Sequence, residues 1–161
     1  MQDKKTHGVT LVELIVVVSI ISILAVALGF SFRGWMSGYK IESQVKEMYV
    51  DLMNARVRAL QRNRAHFIVV AAGSYQIFED TNENGAYNAG TDASVVFASS
   101  KTLSYPSLWA GTVTMDTRGL VSTSGTIRFN IGTNNPDYDC IVLFSTRINM
   151  GKWSGTNCVA K

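Results

Sequence analysis

Residues 9–32 form an apolar run broken by a single charge, Glu13, and that carboxylate constrains the chain more than any other residue. About 24 residues at 1.5 Å rise each reach across the roughly 30 Å hydrocarbon core of a bilayer, so the run predicts a membrane helix. A carboxylate held deep in hydrocarbon costs on the order of 2.5–3.5 kcal/mol, and Glu13 therefore needs a partner. Upstream lies a short polar leader, residues 1–8, which carries Lys4 and Lys5 and ends in Gly8. Cleavage after Gly8 would supply that partner. The new α-amino group on Val9 would lie four residues from Glu13, within reach on the same or a neighbouring helix.

The order Gly8-Val9-Thr10-Leu11-Val12-Glu13-Leu14 resembles the prepilin signature of type IV pilins and pseudopilins, with Val9 where that family usually carries Phe or Met. The resemblance implies cleavage after Gly8 by a prepilin peptidase, N-methylation of Val9, and a role for Glu13 in setting subunit register. Two other readings of the same residues exist. A secretory signal peptide would use Lys4-Lys5 as its basic region and cleave at Ala25-Val26-Ala27, but it leaves Glu13 unexplained inside the apolar core. An uncut anchor also leaves Glu13 unpaired, unless the carboxylate snorkels or takes up a proton.

A chain of 161 residues fits one domain, and after the membrane segment about 130 residues remain to build a core. The formal charge of +3 falls by one when the leader is removed, too little to imply nucleic-acid binding by itself. Lys4 and Lys5 hold the leader on the cytoplasmic side, which directs the rest of the chain outward. Cys140 and Cys158 are the only cysteines, and in that compartment a disulfide is the economical assignment, with a pair of buried thiols as the alternative. Zinc is disfavoured, because His7 and His66 are the only other soft ligands.

Beyond the span, Ile41, Val45, Met48, Leu52, Ala55 and Ala59 recur at spacings of four and three, which predicts an amphipathic helix continuing to about residue 63. Gly29, Gly34 and Gly38 mark an expected bend or loosened turn between the two halves. Arg56, Arg58, Arg62 and Arg64 suit the negative pole of the helix dipole, with a solvated helix end as their default role. From residue 66 the period becomes that of strands, expected at 66–71, 74–79, 94–99, 112–115, 126–130, 139–144 and 147–153. The expected divisions are a leader (1–8), a membrane or filament-core helix (9–32), its amphipathic continuation (33–64) and a periplasmic β domain (65–161).

The segments Met115-Asp116-Thr117-Arg118-Gly119, Cys140-Ile141-Val142-Leu143 and Lys152-Trp153-Ser154-Gly155-Thr156-Asn157-Cys158 are similar to the C-terminal half of the GspH/FimT group of minor pilins and pseudopilins. That group implies an α+β fold, a long N-terminal helix packed on a two-sheet antiparallel β domain, and no catalysis. It implies a single-pass protein of the bacterial inner membrane with a periplasmic domain, which becomes part of a surface filament or a type II secretion pseudopilus. Its partners would be other pilin subunits, the prepilin peptidase, the inner-membrane assembly platform and, before assembly, membrane lipid. Some FimT-like members bind DNA for natural transformation; Arg147 and Lys152 lie in the segment where such members carry basic residues, and Lys161 is close by in sequence.

The residues themselves also disfavour catalysis. After cleavage His66 is the only histidine, and neither a phosphate-cradling glycine loop nor an HExxH pattern is present. No resident cofactor is expected, with one exception. Asp80, Asn82, Asn84 and Asn88 occupy positions 1, 3, 5 and 9 of an EF-hand-like loop with Gly85 at position 6, a spacing that suits weakly bound calcium. Position 12 is Thr91 and the acid comes one place late, as Asp92. A hairpin tip rich in Asp, Asn and Gly, which make tight turns without any metal, is the competing explanation.

Overall fold

The computed structural model describes residues 9–95 and 99–161. The leader with Gly8, residues 96–98 of one expected strand, and the side chains of residues 27–35 lie outside that description. Contacts divide the chain into two compact units, Met1–Ser37 and Gly38–Lys161. Helix α1, Leu11–Arg62, contributes to both.

In the first unit, Thr10 caps the helix. Its Oγ1 accepts the Glu13 N–H at 3.2 Å, a donor that has no intrahelical partner, and its carbonyl accepts the Leu14 N–H at 3.2 Å as the first bond of the helix. Ser19 and Ser22 donate their hydroxyls to the carbonyls of Ile15 and Val18, so neither leaves an unbonded group in the apolar run. Residues 9–26 are exposed at every position. Among the described residues no helix is long and apolar enough to cross a membrane; the expected span at 9–32 runs into residues whose side chains are not described.

In the second unit, the predicted stripe of α1 is the centre of the core: Ile41, Val45, Met48, Leu52, Ala55 and Ala59 are all fully buried. Burial of the four larger side chains contributes roughly 6–12 kcal/mol before chain entropy is counted. The first sheet contains β1 (His66–Val70), β2 (Ser74–Glu79), β3 (Ala93–Ser94), β4 (Lys101–Thr102) and β5 (Gly111–Met115). Its order is β3-β2-β1-β5, with β4 also pairing β2. The second sheet runs β6 (Gly125–Arg128), β7 (Cys140–Leu143), β8 (Ile148–Trp153) and β9 (Cys158–Ala160) in chain order. Every strand pair is antiparallel.

Register decides which face meets the helix. Ile68 lies opposite both Ile77 and Val113, and Val70 opposite Tyr75, so these side chains share one face of the first sheet. Ile127 opposite Ile141 and Leu143 opposite Ile148 do the same in the second. All of them join the α1 stripe in one hydrophobic cluster. The α+β arrangement implied by the family resemblance, a helix packed on two antiparallel sheets, is the arrangement observed.

Polar side chains then pin distant loops to the helix. Gln44 makes a reciprocal pair with the backbone of Tyr105, donating Nε2 to its carbonyl at 2.8 Å and accepting its N–H at 3.0 Å. Glu42 accepts the Asp137 N–H at 2.7 Å. Strands β4 and β9 were not expected from the sequence. They have two and three residues and exist only through pairing with β2 and β8, too short to carry a period of their own.

Candidate functional site

Glu13 occupies the third position after the Thr10 cap, in the first turn of α1, where the helix dipole favours a negative charge. Its carboxylate has no ion-pair partner among the described residues. Thr10 is a residue that the sequence reasoning passed over. The Thr10-x-x-Glu13 spacing is that of a capping box, and it could have identified the start of the helix.

The two cysteines form a disulfide with a Cα–Cα distance of 6.1 Å. Cys140 on β7 lies opposite Gly151 of β8, and Cys158 on β9 lies opposite Trp153, so the bridge spans the intervening strand. The basic residues proposed for DNA sit around this sheet without forming one patch. Arg147 is exposed in the turn before β8, its guanidinium 4.8 Å from the centre of the Phe144 ring. Lys152 is five positions along, roughly 17 Å at strand rise, and donates to Asn135 Oδ1 at 2.7 Å. Lys161 is paired with Asp137 at 2.7 Å. Lys152 and Lys161 are therefore neighbours over one loop, and Arg147 stands apart at the other end of the strand.

The arginines at the end of α1 are not a purely solvated cluster. The helix stops at Asn63, whose φ of 52° is left-handed, a common terminating conformation. Arg62 Nη1 then lies 2.5 Å and Arg64 Nη1 3.6 Å from the carboxylate of Glu79, which is only 5% exposed at the end of β2. His66, opposite Glu79 in the β1–β2 pair, is fully buried and donates Nδ1–H to the Arg64 carbonyl at 3.1 Å. Its Nε2 has no hydrogen-bond partner among the described residues. Burial is the main reason its pKa is lowered; the Arg64 carbonyl and Glu79 oppose this, while Arg62 and Arg58 add to it. This is packing chemistry, with no nucleophile within hydrogen-bond distance of Nε2 among the described residues.

A second buried cluster was invisible in the sequence. Asp51, on the helix, accepts the Tyr75 hydroxyl at 2.5 Å and the Lys101 ammonium at 2.8 Å. Desolvation is the largest cause pushing the Tyr75 phenol pKa upward, with the Asp51 carboxylate adding to it. The cluster joins α1, β2 and β4 and so stabilises the fold.

The loop at 80–92 is built around side-chain oxygens. Asp80 is 3% exposed, and its two oxygens accept the N–H groups of Asn84 (3.2 Å) and Gly85 (2.8 Å). Gly85 itself has φ 74°, which favours glycine. Asn82 and Asn84 both donate side-chain amides to Asn88 Oδ1, at 3.1 and 2.5 Å. Asp92 Oδ2 accepts the Asn88 N–H at 2.6 Å. The N–H groups of Thr91 and Asp92 both bond the Asn88 carbonyl, forming a turn that leads into Asp92. Tyr87 fastens the loop, its ring 4.8 Å from Phe78 and 6.1 Å from Phe67. Among the described residues no group of three or more His, Cys, Asp or Glu side chains is placed to hold a metal. The loop offers two carboxylates and three amides instead.

Residues 3–29 match the prokaryotic N-terminal methylation motif, and residues 44–146 match the family described as type II transport protein GspH. No curated protein and no solved structure gives a significant match to the chain. The second match spans well over half of the 161 residues and covers the greater part of the two-sheet unit just described. The chain therefore belongs to the GspH family of structural pilin-like subunits and carries, ahead of that domain, the N-terminal methylation motif of type IV pilins and pseudopilins.

Proposed function

We propose that the chain is a minor pilin or pseudopilin that enters a type IV pilus or a type II secretion pseudopilus after a prepilin peptidase cuts behind Gly8 and Val9 is N-methylated. The observation that carries this reading is Glu13: the only charge in an apolar run, inside the matched methylation motif, with no ion pair among the described residues. In the membrane the exposed side chains of residues 9–26 face lipid. In a filament they face equivalent helices. Lipid tails are as apolar as leucine, so packing rather than the hydrophobic effect supplies the gain on leaving the bilayer. The pairing of Glu13 with an α-amine selects the axial register, a role for which buried charges are suited.

The inner-membrane location, the periplasmic placement of the two-sheet unit, and contacts with the peptidase, the assembly platform and other subunits all follow from this reading. DNA capture draws less support. Lys161 is engaged with Asp137, and Arg147 lies well away from Lys152. Intact mass of membrane-extracted protein tests the proposal. A chain starting at Val9, with one added methyl group, is expected. A chain starting at Leu28 would favour the signal-peptide reading, and an uncut chain would favour a plain anchor.

A further inference from the structure

We propose that the loop at 80–92 is a calcium site whose ligands are the side-chain oxygens of Asp80, Asn82, Asn84, Asn88 and Asp92. The decisive observation is Asp92. It is 6% exposed, and while Oδ2 accepts the Asn88 N–H, Oδ1 is buried with no hydrogen-bond partner among the described residues. A carboxylate oxygen in that position costs free energy unless something positive meets it. No basic side chain does so among the described residues.

The surrounding groups indicate what the missing partner is. Asn88 Oδ1 already accepts two side-chain amides, those of Asn82 and Asn84, while Asn82 Oδ1 and Asn84 Oδ1 accept the N–H groups of Asn84 and Ala86. A cation would take the place of those amides, with the three asparagines presenting oxygens instead. All five side chains offer hard oxygen donors, which excludes a soft-metal preference. Calcium accepts six to eight oxygens in irregular geometry, whereas magnesium demands a near-ideal octahedron and keeps several waters. Only two of the five ligands are charged, which places the affinity in the range of extracellular modules, a dissociation constant of roughly 0.1–1 mM. The loop is fastened to the first sheet through Tyr87, so cation binding would stabilise the β1–β2 hairpin as well as the loop.

Thermal unfolding of the full chain in detergent micelles tests the assignment, with calcium chloride as the probe and EDTA as the reference. About 10 mM calcium is expected to raise Tm by roughly 10 °C. Asp92→Asn is expected to lose that rise while melting in EDTA no lower than the parent, because the variant removes an unpartnered buried anion. Asn82→Ala, at an exposed position, is expected to fold normally and to need about tenfold more calcium for the same rise. No calcium-dependent rise in the parent chain would overturn the assignment. So would an equal rise with magnesium, an undiminished rise in Asp92→Asn, or an unchanged calcium requirement in Asn82→Ala.

Discussion

Gly151 lies directly beneath Cys158, so close that a Cβ on the glycine would sit 2.9 Å from the Cys158 sulfur and 2.8 Å from the Val159 carbonyl carbon. Strand β9 pairs edge to edge with β8 at that point, and the disulfide from Cys158 to Cys140 crosses the intervening strand there. A backbone without a side chain is what permits the crossing. Gly151→Ala is therefore expected to destabilise the domain by about 3 kcal/mol, as overpacking of a close backbone contact does. Urea unfolding measures this. Replacing both cysteines by alanine should cost a comparable amount, roughly 3 kcal/mol for a bridge of this sequence separation. A Gly151→Ala protein as stable as the parent would show that β9 can move aside freely.

Glu13→Val removes the one charge of the apolar run, and insertion into membranes is expected to proceed as before. Recruitment into filaments is expected to fall, because the partner for the α-amine is gone while the packing surface is kept. Immunoblots of sheared filament fractions against whole membranes would measure the ratio. Equal incorporation of parent and variant would remove Glu13 from the assembly mechanism.

His66 gives the fold a pH dependence of definite sign. Burial lowers its pKa below the ordinary 6.5, so on acidification the unfolded chain takes up this proton before the folded chain does. The stability it permits is fully present above about pH 6.5 and declines as pH falls below that value. His66→Asn keeps a donor for the Arg64 carbonyl and removes the titration. The parent Tm is expected to fall more than the variant Tm between pH 7 and pH 5, the carboxylates contributing equally to both. Parallel curves would mean that His66 takes up its proton equally readily in both states.

Arg147→Gln and Lys152→Gln are expected to leave the fold intact and the affinity for duplex DNA unaltered, because the two side chains do not form one patch. Fluorescence anisotropy with DNA of arbitrary sequence provides the measurement. Micromolar affinity at low salt, with a log–log salt slope that shallows by about one for each charge removed, would instead assign both residues to phosphate contacts.

Local sequence determined what depends on near neighbours. The stripe from Ile41 to Ala59 was legible because a helix brings positions three and four apart onto one face, and each of those side chains is buried as the spacing requires. The hairpin of β1 and β2 was legible from its period of two. Gly8, Val9 and Glu13 were recognisable as an N-terminal motif, and the spacing of Asp80, Asn82, Asn84 and Asn88 could be counted directly from the chain. The family resemblance rested on that N-terminal motif together with the segments at 115–119, 140–143 and 152–158.

Tertiary structure decided what depends on residues far apart. The union of Asp51 with Tyr75 and Lys101, the clasp of Gln44 on Tyr105 and the pairing of Arg62 with Glu79 span separations of 17 to 61 residues, and no local period encodes them. Two corrections came from the same source. Arg62 and Arg64, two of the four arginines expected at a solvated helix end, meet a carboxylate that the β2 register carries to them. Strand β9 has no pattern of its own and exists because β8 offers it an edge above a glycine. Spacing likewise says nothing of what surrounds Asp92. The folded chain places it after a turn on the Asn88 carbonyl, with one carboxylate oxygen buried and without a hydrogen-bond partner among the described residues.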